Sequence, residues 1–287
     1  MNFPKSMRHV ELVPGYPVLE VQHAAASARI ALHGAQLMEW TPTNHKPVIY
    51  LSPEAIFNES KAIRGGIPVC WPWFGHHADP KLPQHGFVRT RLWEVAEIAE
   101  DAAGVVMKLS LSEDEETRHL WPHAFHVTLE LRIGAELHVS LTMVNTDQTP
   151  VTITGALHTY FGVGDIRQVR IEGLDGAAYL DTVGSRTERQ QSGEIVIDRE
   201  VDRIYRSSGE VRIKDAALRR VISIQGFGSE STVVWNPWIE KARALVDLPD
   251  DDYLRFVCVE TANAWNDRIT LAAGATHELA TTIRVHQ

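Results

Sequence analysis

Cysteine is nearly missing from this chain: Cys70 and Cys258 are the only two in 287 residues. Two so far apart are too few for a disulfide framework or a zinc site built from cysteine thiolates, and the pair is expected to be reduced thiols. Positive charge is also short. A formal net charge of -9 leaves no basic face for nucleic acid or an anionic membrane, though it still allows a small anion held by a few local arginines. No apolar run approaches a membrane span, and "MNFPKSMRHVELVPGYP" has no apolar core of signal-peptide length. A cytoplasmic chain is expected. There is no glycine-rich phosphate loop between a strand and a helix, no G-x-S-x-G elbow and no H-E-x-x-H pair, so phosphoryl transfer, serine hydrolysis and zinc-peptidase chemistry lose their usual signatures.

Helical periodicity is scarce as well, limited to short pieces near 54–62 and 237–245. What the sequence has instead is period two. In "FHVTLELRIGAELHVSLTMVNTD", Phe125, Val127, Leu129, Leu131 and Ile133 alternate with polar residues, then Leu137, Val139, Leu141 and Met143 do the same around a "GAE" turn. Further strands are expected over 28–40, 92–98, 104–111, 152–161, 168–174, 194–198, 219–225, 232–235, 254–260 and 278–285. With no βαβ alternation, linker or fixed repeat, the expected fold is all-β: one large antiparallel β-sandwich domain, residues 1–287, with few short helices.

Two strands carry unusual residues. In "LRFVCVETAN", Leu254, Phe256 and Cys258 share one face with Glu260, while Val257 and Val259 take the other. Both faces read as buried, and a carboxylate there is costly unless something pairs with it or needs it. In "VTITGALHTYFGVGDI", Thr152, Thr154, Ala156, His158 and Tyr160 form a small, polar face suited to the floor of a cleft. Two loops add aromatics and guanidinium groups. "IRGGIPVCWPWFG" sets Arg64 before two glycines and clusters Trp71, Trp73 and Phe74, and "LPQHGFVRTRLW" brings Gln84, His85, Arg89 and Arg91. Flat aromatic surface beside charge-assisted donors suits a site that stacks on a sugar and grips an oxyanion. The remaining histidine-rich run, "HLWPHAFH", places His119, His123 and His126 close in sequence, but Pro122 breaks any shared helical register, and these are read as solvated side chains rather than metal ligands.

The segments "RGGIPVCWPWFG", "LPQHGFVR", "ALHTYFGVGDI", "VDRIY", "VWNPW" with "KARALVDLP", and "CVETAN", in this order from residue 64 to 263, resemble the D-hexose-6-phosphate mutarotases, or glucose-6-phosphate 1-epimerases. These form a branch of the galactose-mutarotase-like, aldose-1-epimerase superfamily. The resemblance implies a supersandwich that holds one sugar on its concave face, with no metal and no organic cofactor. It implies that Glu260 is the general base on the C1 hydroxyl and His158 the general acid toward the ring oxygen. It also implies that Asp202 binds sugar hydroxyls, that Gln84 and His85 line the pocket, and that Arg64 and Arg89 select the 6-phosphate, a role Lys61 or Arg91 is placed to share. The expected partner is a hexose 6-phosphate, with no nucleic acid and no membrane, and the expected state is a monomer. The alternatives are a non-catalytic sugar-binding or sugar-sensing protein on the same fold, and a glycoside hydrolase, whose chemistry needs two flanking carboxylates.

Overall fold

The computed structural model describes residues 3–287, so the first two residues of the N-terminal stretch and of the expected 1–287 domain lie outside the described residues. Among the described residues, twenty-two strands, two short α-helices and three 3-10 turns make up the regular structure. Two eight-stranded sheets dominate.

The first, the scaffold sheet, runs in the order Val169–Glu172, Val211–Asp215, Arg220–Phe227, Thr276–His286, Leu137–Asn145, Phe125–Gly134, Gly104–Ser112, Glu94–Asp101. Its pairing is antiparallel, and in Phe125–Gly134 the residues with even and odd numbers alternate between half-buried and buried almost to the end. Leu129, Val139, Ile222 and Leu279 from this sheet lie in one large apolar core. Each such side chain contributes about 1.5–3 kcal/mol by leaving water.

The second, the site sheet, centres on Phe256–Asn263, flanked by Ser231–Asn236 on one side and Gly155–Leu157 on the other, with Val201–Arg206 and Val69–Cys70 beyond them. Val234, Val257, Val259 and Leu157 press into the same core as the scaffold sheet, which makes the pair a sandwich. A four-stranded sheet over Met7–Glu11, Pro17–Gln22, Ala26–Ala31 and Gln36–Pro42 joins through Leu19 and Trp40, whose indole N–H donates to the Gly134 carbonyl at 3.1 Å. Among the described residues no helix is long and apolar enough to cross a membrane.

Several local expectations need correction. The expected strand 28–40 is two strands, separated by a turn in which the Ala35 N–H donates to Leu32 O. The expected strand 152–161 is three pieces. Val151–Ile153 pairs with Ile269–Leu271, while Gly155–Leu157 and Tyr160–Gly162 pair with the site strand, so the chain changes partner at Thr154, whose N–H goes to Pro72 O. Residues 194–198 make one bridge, Ile171 to Ile195. No helix forms over 54–62, where a bridge joins Asn58 and Lys61. An unexpected helix, Glu115–Leu120, is started by Asp114, whose carboxylate accepts from the Thr117 N–H at 2.6 Å.

Candidate active site

All eight residues of Phe256–Asn263 are buried. Val257 and Val259 face the main core. Phe256 and Cys258 turn the other way, into a cluster with Tyr160, Trp235, Ala242 and Leu248, and Ala262 joins Cys70, Ala156, Ile204 and Val233 on that same side. Glu260 falls between them by alternation.

Its neighbour is set by register. Leu157 pairs with Thr261 and Tyr160 with Cys258, which leaves His158 directly across from Glu260, and directly opposed side chains on one face meet. The backbone around His158 is fixed from both sides: its N–H donates to Pro68 O at 3.0 Å, and the Val259 N–H donates to Thr159 O at 3.3 Å. His158 Nε2 then stands 3.3 Å from Glu260 Oε1, with the imidazole 12% exposed and the carboxylate 1%. The imidazole stacks on the Tyr160 ring at 5.0 Å and meets Trp235 edge-on at 5.9 Å. His158 Nδ1 and Glu260 Oε2 are buried without a protein hydrogen-bond partner. Buried polar atoms left open carry a real cost, which a ligand can remove.

The electrostatics push the pair toward its neutral form. Burial raises the Glu260 carboxyl well above its ordinary range, and Asp202 adds to this against the opposing pull of Arg89. Burial, then Arg89 and Arg64, hold His158 down to about 3. Burial, Arg89 and His158 likewise hold His85 well below the ordinary imidazole range. The Asp202 carboxyl is raised, chiefly by its own burial.

Arg64 reaches the site through two glycines. Gly65 and Gly66 take positive φ of 107° and 69°, and a Cβ on them would lie 2.5 Å from Tyr50 O and 2.4 Å from Leu37 O. Only glycine lets the chain pass there. The Arg64 guanidinium donates to the Tyr160 hydroxyl at 3.0 Å and to Asp247 at 3.1 Å. Burial opposes the Arg64 charge, but Tyr160 and Asp247 outweigh it and the guanidinium is held above its ordinary value. Lys61 Nζ contacts the other Asp247 oxygen at 2.9 Å. Asp247 is fully buried, and against that burial Lys61 and Arg64 keep it below its ordinary range.

Of the residues singled out in the sequence, His158, Glu260, Asp202, His85, Arg64 and Arg89 are gathered here. Asp202 lies across from Trp235 in the site sheet. His85 takes φ 62° and presents its ring edge to His158 at 5.7 Å. Arg89 donates to the Gln84 carbonyl at 2.6 Å, which uses the Gln84 backbone and leaves its exposed side chain free of any hydrogen bond. Lys61 joins through Asp247, whereas Arg91 pairs with Glu116 of the unexpected helix. Trp71 and Trp73 are core rather than sugar platform. Trp71 is 1% exposed against Phe87, Trp121 and Phe125, and the Trp73 indole donates to Pro83 O. The histidine-rich run diverges: His123 meets Asp147, His126 meets Ser112 and Thr128, and His119 is exposed.

Three site residues were not singled out from sequence. Tyr160 and Trp235 were visible as the same-face neighbours of His158 and as the first aromatic of "WNPW". Asp247 stood inside "KARALVDLP" without a role of its own, since its partners Lys61 and Arg64 are far away in sequence. Past Ile204 and Val233 the same face continues to Trp265, where a groove of about 560 Å³ is lined by Arg206, Glu230, Trp265 and Asp267.

The aldose 1-epimerase family model matches residues 17–284. A protein of Escherichia coli K12 named "putative glucose-6-phosphate 1-epimerase" is 38% identical over 270 residues, covering 93% of this chain and 90% of its own. A plant relative of the same name, from Cenchrus ciliaris, is 37% identical over 268 residues, 86% of this chain and 81% of its own. The crystal structure of a "putative mutarotase" from Salmonella typhimurium superimposes with a TM-score of 0.94 at 33% identity, covering 100% of this chain and 95% of that one.

Proposed function

The chain belongs to the aldose 1-epimerase family, and we propose that it interconverts the α and β anomers of glucose 6-phosphate and related hexose 6-phosphates. The observation that carries this reading is the His158–Glu260 contact of 3.3 Å, with Arg64 hydrogen-bonded to the Tyr160 on which the imidazole stacks. The names of the relatives support the same substrate class.

Glu260 carboxylate takes the proton of the C1 hydroxyl as the bond between C1 and the ring oxygen breaks, and His158 gives its proton to that oxygen. The open aldehyde turns about its C1–C2 bond. Reclosure on the other face reverses both transfers and restores the pair. Each proton transfer is worth roughly 10² to 10⁴ in rate. Asp202, Gln84 and His85 are assigned to the sugar, and Arg64 and Arg89 to the phosphate.

This cycle starts from ionised Glu260 and protonated His158, whereas burial of both groups, with the two arginines acting on His158, favours the neutral pair in the empty site against the pull of Arg89 on Glu260. A phosphate dianion bound by Arg64 and Arg89 cancels part of the positive field that holds His158 down. The proton then has only the 3.3 Å contact to cross. The substrate's own charge thereby favours the reactive protonation state, a push that a neutral sugar does not supply. A purely sugar-binding role leaves the buried Glu260–His158 contact without a use. We further propose that the chain works as one domain and as a cytoplasmic monomer, in keeping with two free, buried cysteines.

Anomer exchange followed by NMR, with glucose 6-phosphate beside free glucose and galactose, tests the reading. Acceleration of glucose 6-phosphate well beyond both free sugars is expected. Equal acceleration of all three, or none, overturns it.

A further inference from the structure

Cys258 has no part in the proton transfers above, yet it sits on the Glu260 face of the site strand, across from both Tyr160 and Trp235. Its Sγ, a ring nitrogen of His158 and a carboxylate oxygen of Glu260 all lie within 4.8 Å of one another. Thiolate, imidazole and carboxylate are the three side-chain ligands of Zn²⁺, at about 2.0–2.3 Å. A tetrahedral ion with those bond lengths spaces its ligands about 3.3–3.8 Å apart. Side-chain rotations drawing the three groups together by up to about 1.5 Å therefore close a site.

We infer that His158, Cys258 and Glu260 form a binding site for a thiophilic divalent cation of the Zn²⁺ class, and that its occupancy stops catalysis. A second observation supports a ligand here. His158 Nδ1 and Glu260 Oε2 are buried with no protein partner, so the pair has unused coordinating capacity on buried atoms. Charge is consistent with this. As the ion binds, the Cys258 S–H proton and the proton held by Glu260 both leave to buffer, bonds from sulfur, carboxylate oxygen and imidazole nitrogen each replace a metal–water bond, and thiolate plus carboxylate balance the two positive charges. Sulfur excludes Mg²⁺ and Ca²⁺, which demand oxygen. Arg64 and Arg89 oppose a cation, and three protein ligands leave one position to water, so the affinity falls below that of a closed structural zinc site. Metal binding is independent of the proposed reaction. Its effect on turnover rests on the reading of His158 and Glu260 as the acid–base pair.

Titration of the full chain with Co²⁺ tests binding directly. A thiolate-to-cobalt charge-transfer band in the near ultraviolet, displaced by Zn²⁺ and lost in Cys258→Ala and Cys258→Ser, is the expected result. In the activity assay, Zn²⁺ should inhibit the wild type reversibly, with chelator restoring it. Both cysteine variants should mutarotate normally and need at least tenfold more Zn²⁺ for half inhibition. The absence of a sulfur band, or equal Zn²⁺ inhibition of wild type and Cys258→Ala, overturns the site and places any bound metal elsewhere. If the protein exchanges no anomers but the cobalt band persists, the metal site stands and the proposed function fails.

Discussion

The two eight-stranded sheets differ in how they use burial. In the scaffold sheet, Phe125–Gly134 and Leu137–Asn145 send one set of side chains inward and leave much of the other half-buried. In the site sheet, Phe256–Asn263 is buried at every position, with a carboxylate among them. A strand buried on one face is stabilised by its alternation and needs nothing further. A strand buried on both faces is apolar by default, so a charged residue within it costs stability and marks a task.

If that contrast is right, damage to the two sheets should separate chemistry from folding. The largest effect is expected at the pair: Glu260→Gln and His158→Asn should each lower turnover by roughly 10² or more with little change in substrate binding. Turnover within threefold of wild type in either variant would end the assignment. Next comes Leu129→Ala in the scaffold sheet, which should cost about 2–5 kcal/mol of stability while leaving turnover of the folded protein unchanged. A loss of turnover without a loss of stability would erase the distinction between the sheets.

A smaller effect is expected at the phosphate end. Charge-assisted hydrogen bonds contribute about 1.5–3 kcal/mol, so Arg64→Ala and Arg89→Ala should each weaken kcat/KM for glucose 6-phosphate by roughly tenfold to a hundredfold, with little change on free glucose. Equal losses on both sugars would make these arginines structural.

The smallest expected effect is a gain. The Glu260 carboxyl titrates above its ordinary 4.5 in the folded protein. Between those two values the folded state holds a proton that the unfolded state has lost, and stability falls as pH rises. His158 acts oppositely, titrating near 3 when folded against an ordinary 6.5. Over that range the unfolded state holds the extra proton, and stability rises with pH. Glu260→Gln removes the first contribution only, so it should stabilise by about 0.5–2 kcal/mol at pH 8 and by nothing measurable at pH 4. Denaturant unfolding at both pH values checks this; a gain of the same size at each would assign it to packing.

The same contrast explains what was legible. Leu129 and its neighbours announced their strand because only one face is apolar. Glu260 and His158 were legible for the opposite reason, as polar residues on faces whose alternation continued through them, and register then placed them across from each other. The two glycines after Arg64 were plain in the sequence, but the close passage of the Tyr50 and Leu37 backbone that requires them comes only from the fold. Asp247 was hidden because its meaning comes from Lys61 and Arg64, and no local period encodes so distant a contact. Trp71 and Trp73 misled, since a large aromatic in a loop has the same composition whether it faces a sugar or Phe87 and Phe125. The helix expected over 54–62 gave way to turns anchored elsewhere, with Ser52 donating to the Asp247 carbonyl at 2.7 Å, an example of tertiary contact overriding local preference.

The central claim is that the substrate's phosphate, through Arg64 and Arg89, moves the proton from Glu260 to His158. The direct measurement is the ¹⁵N chemical shift of the His158 imidazole at neutral pH, assigned with His158→Asn. It should be recorded in the free protein, with 1-deoxyglucose, and with the 6-phosphate of 1-deoxyglucose, which lacks the anomeric hydroxyl and cannot react. The account predicts a neutral ring in the first two states and a protonated ring with the phosphate, and the change between free and phosphate-bound protein should disappear when Arg64 and Arg89 are both replaced by Ala, because the field that the phosphate cancels is then gone. A ring with the same protonation in all three states would contradict it.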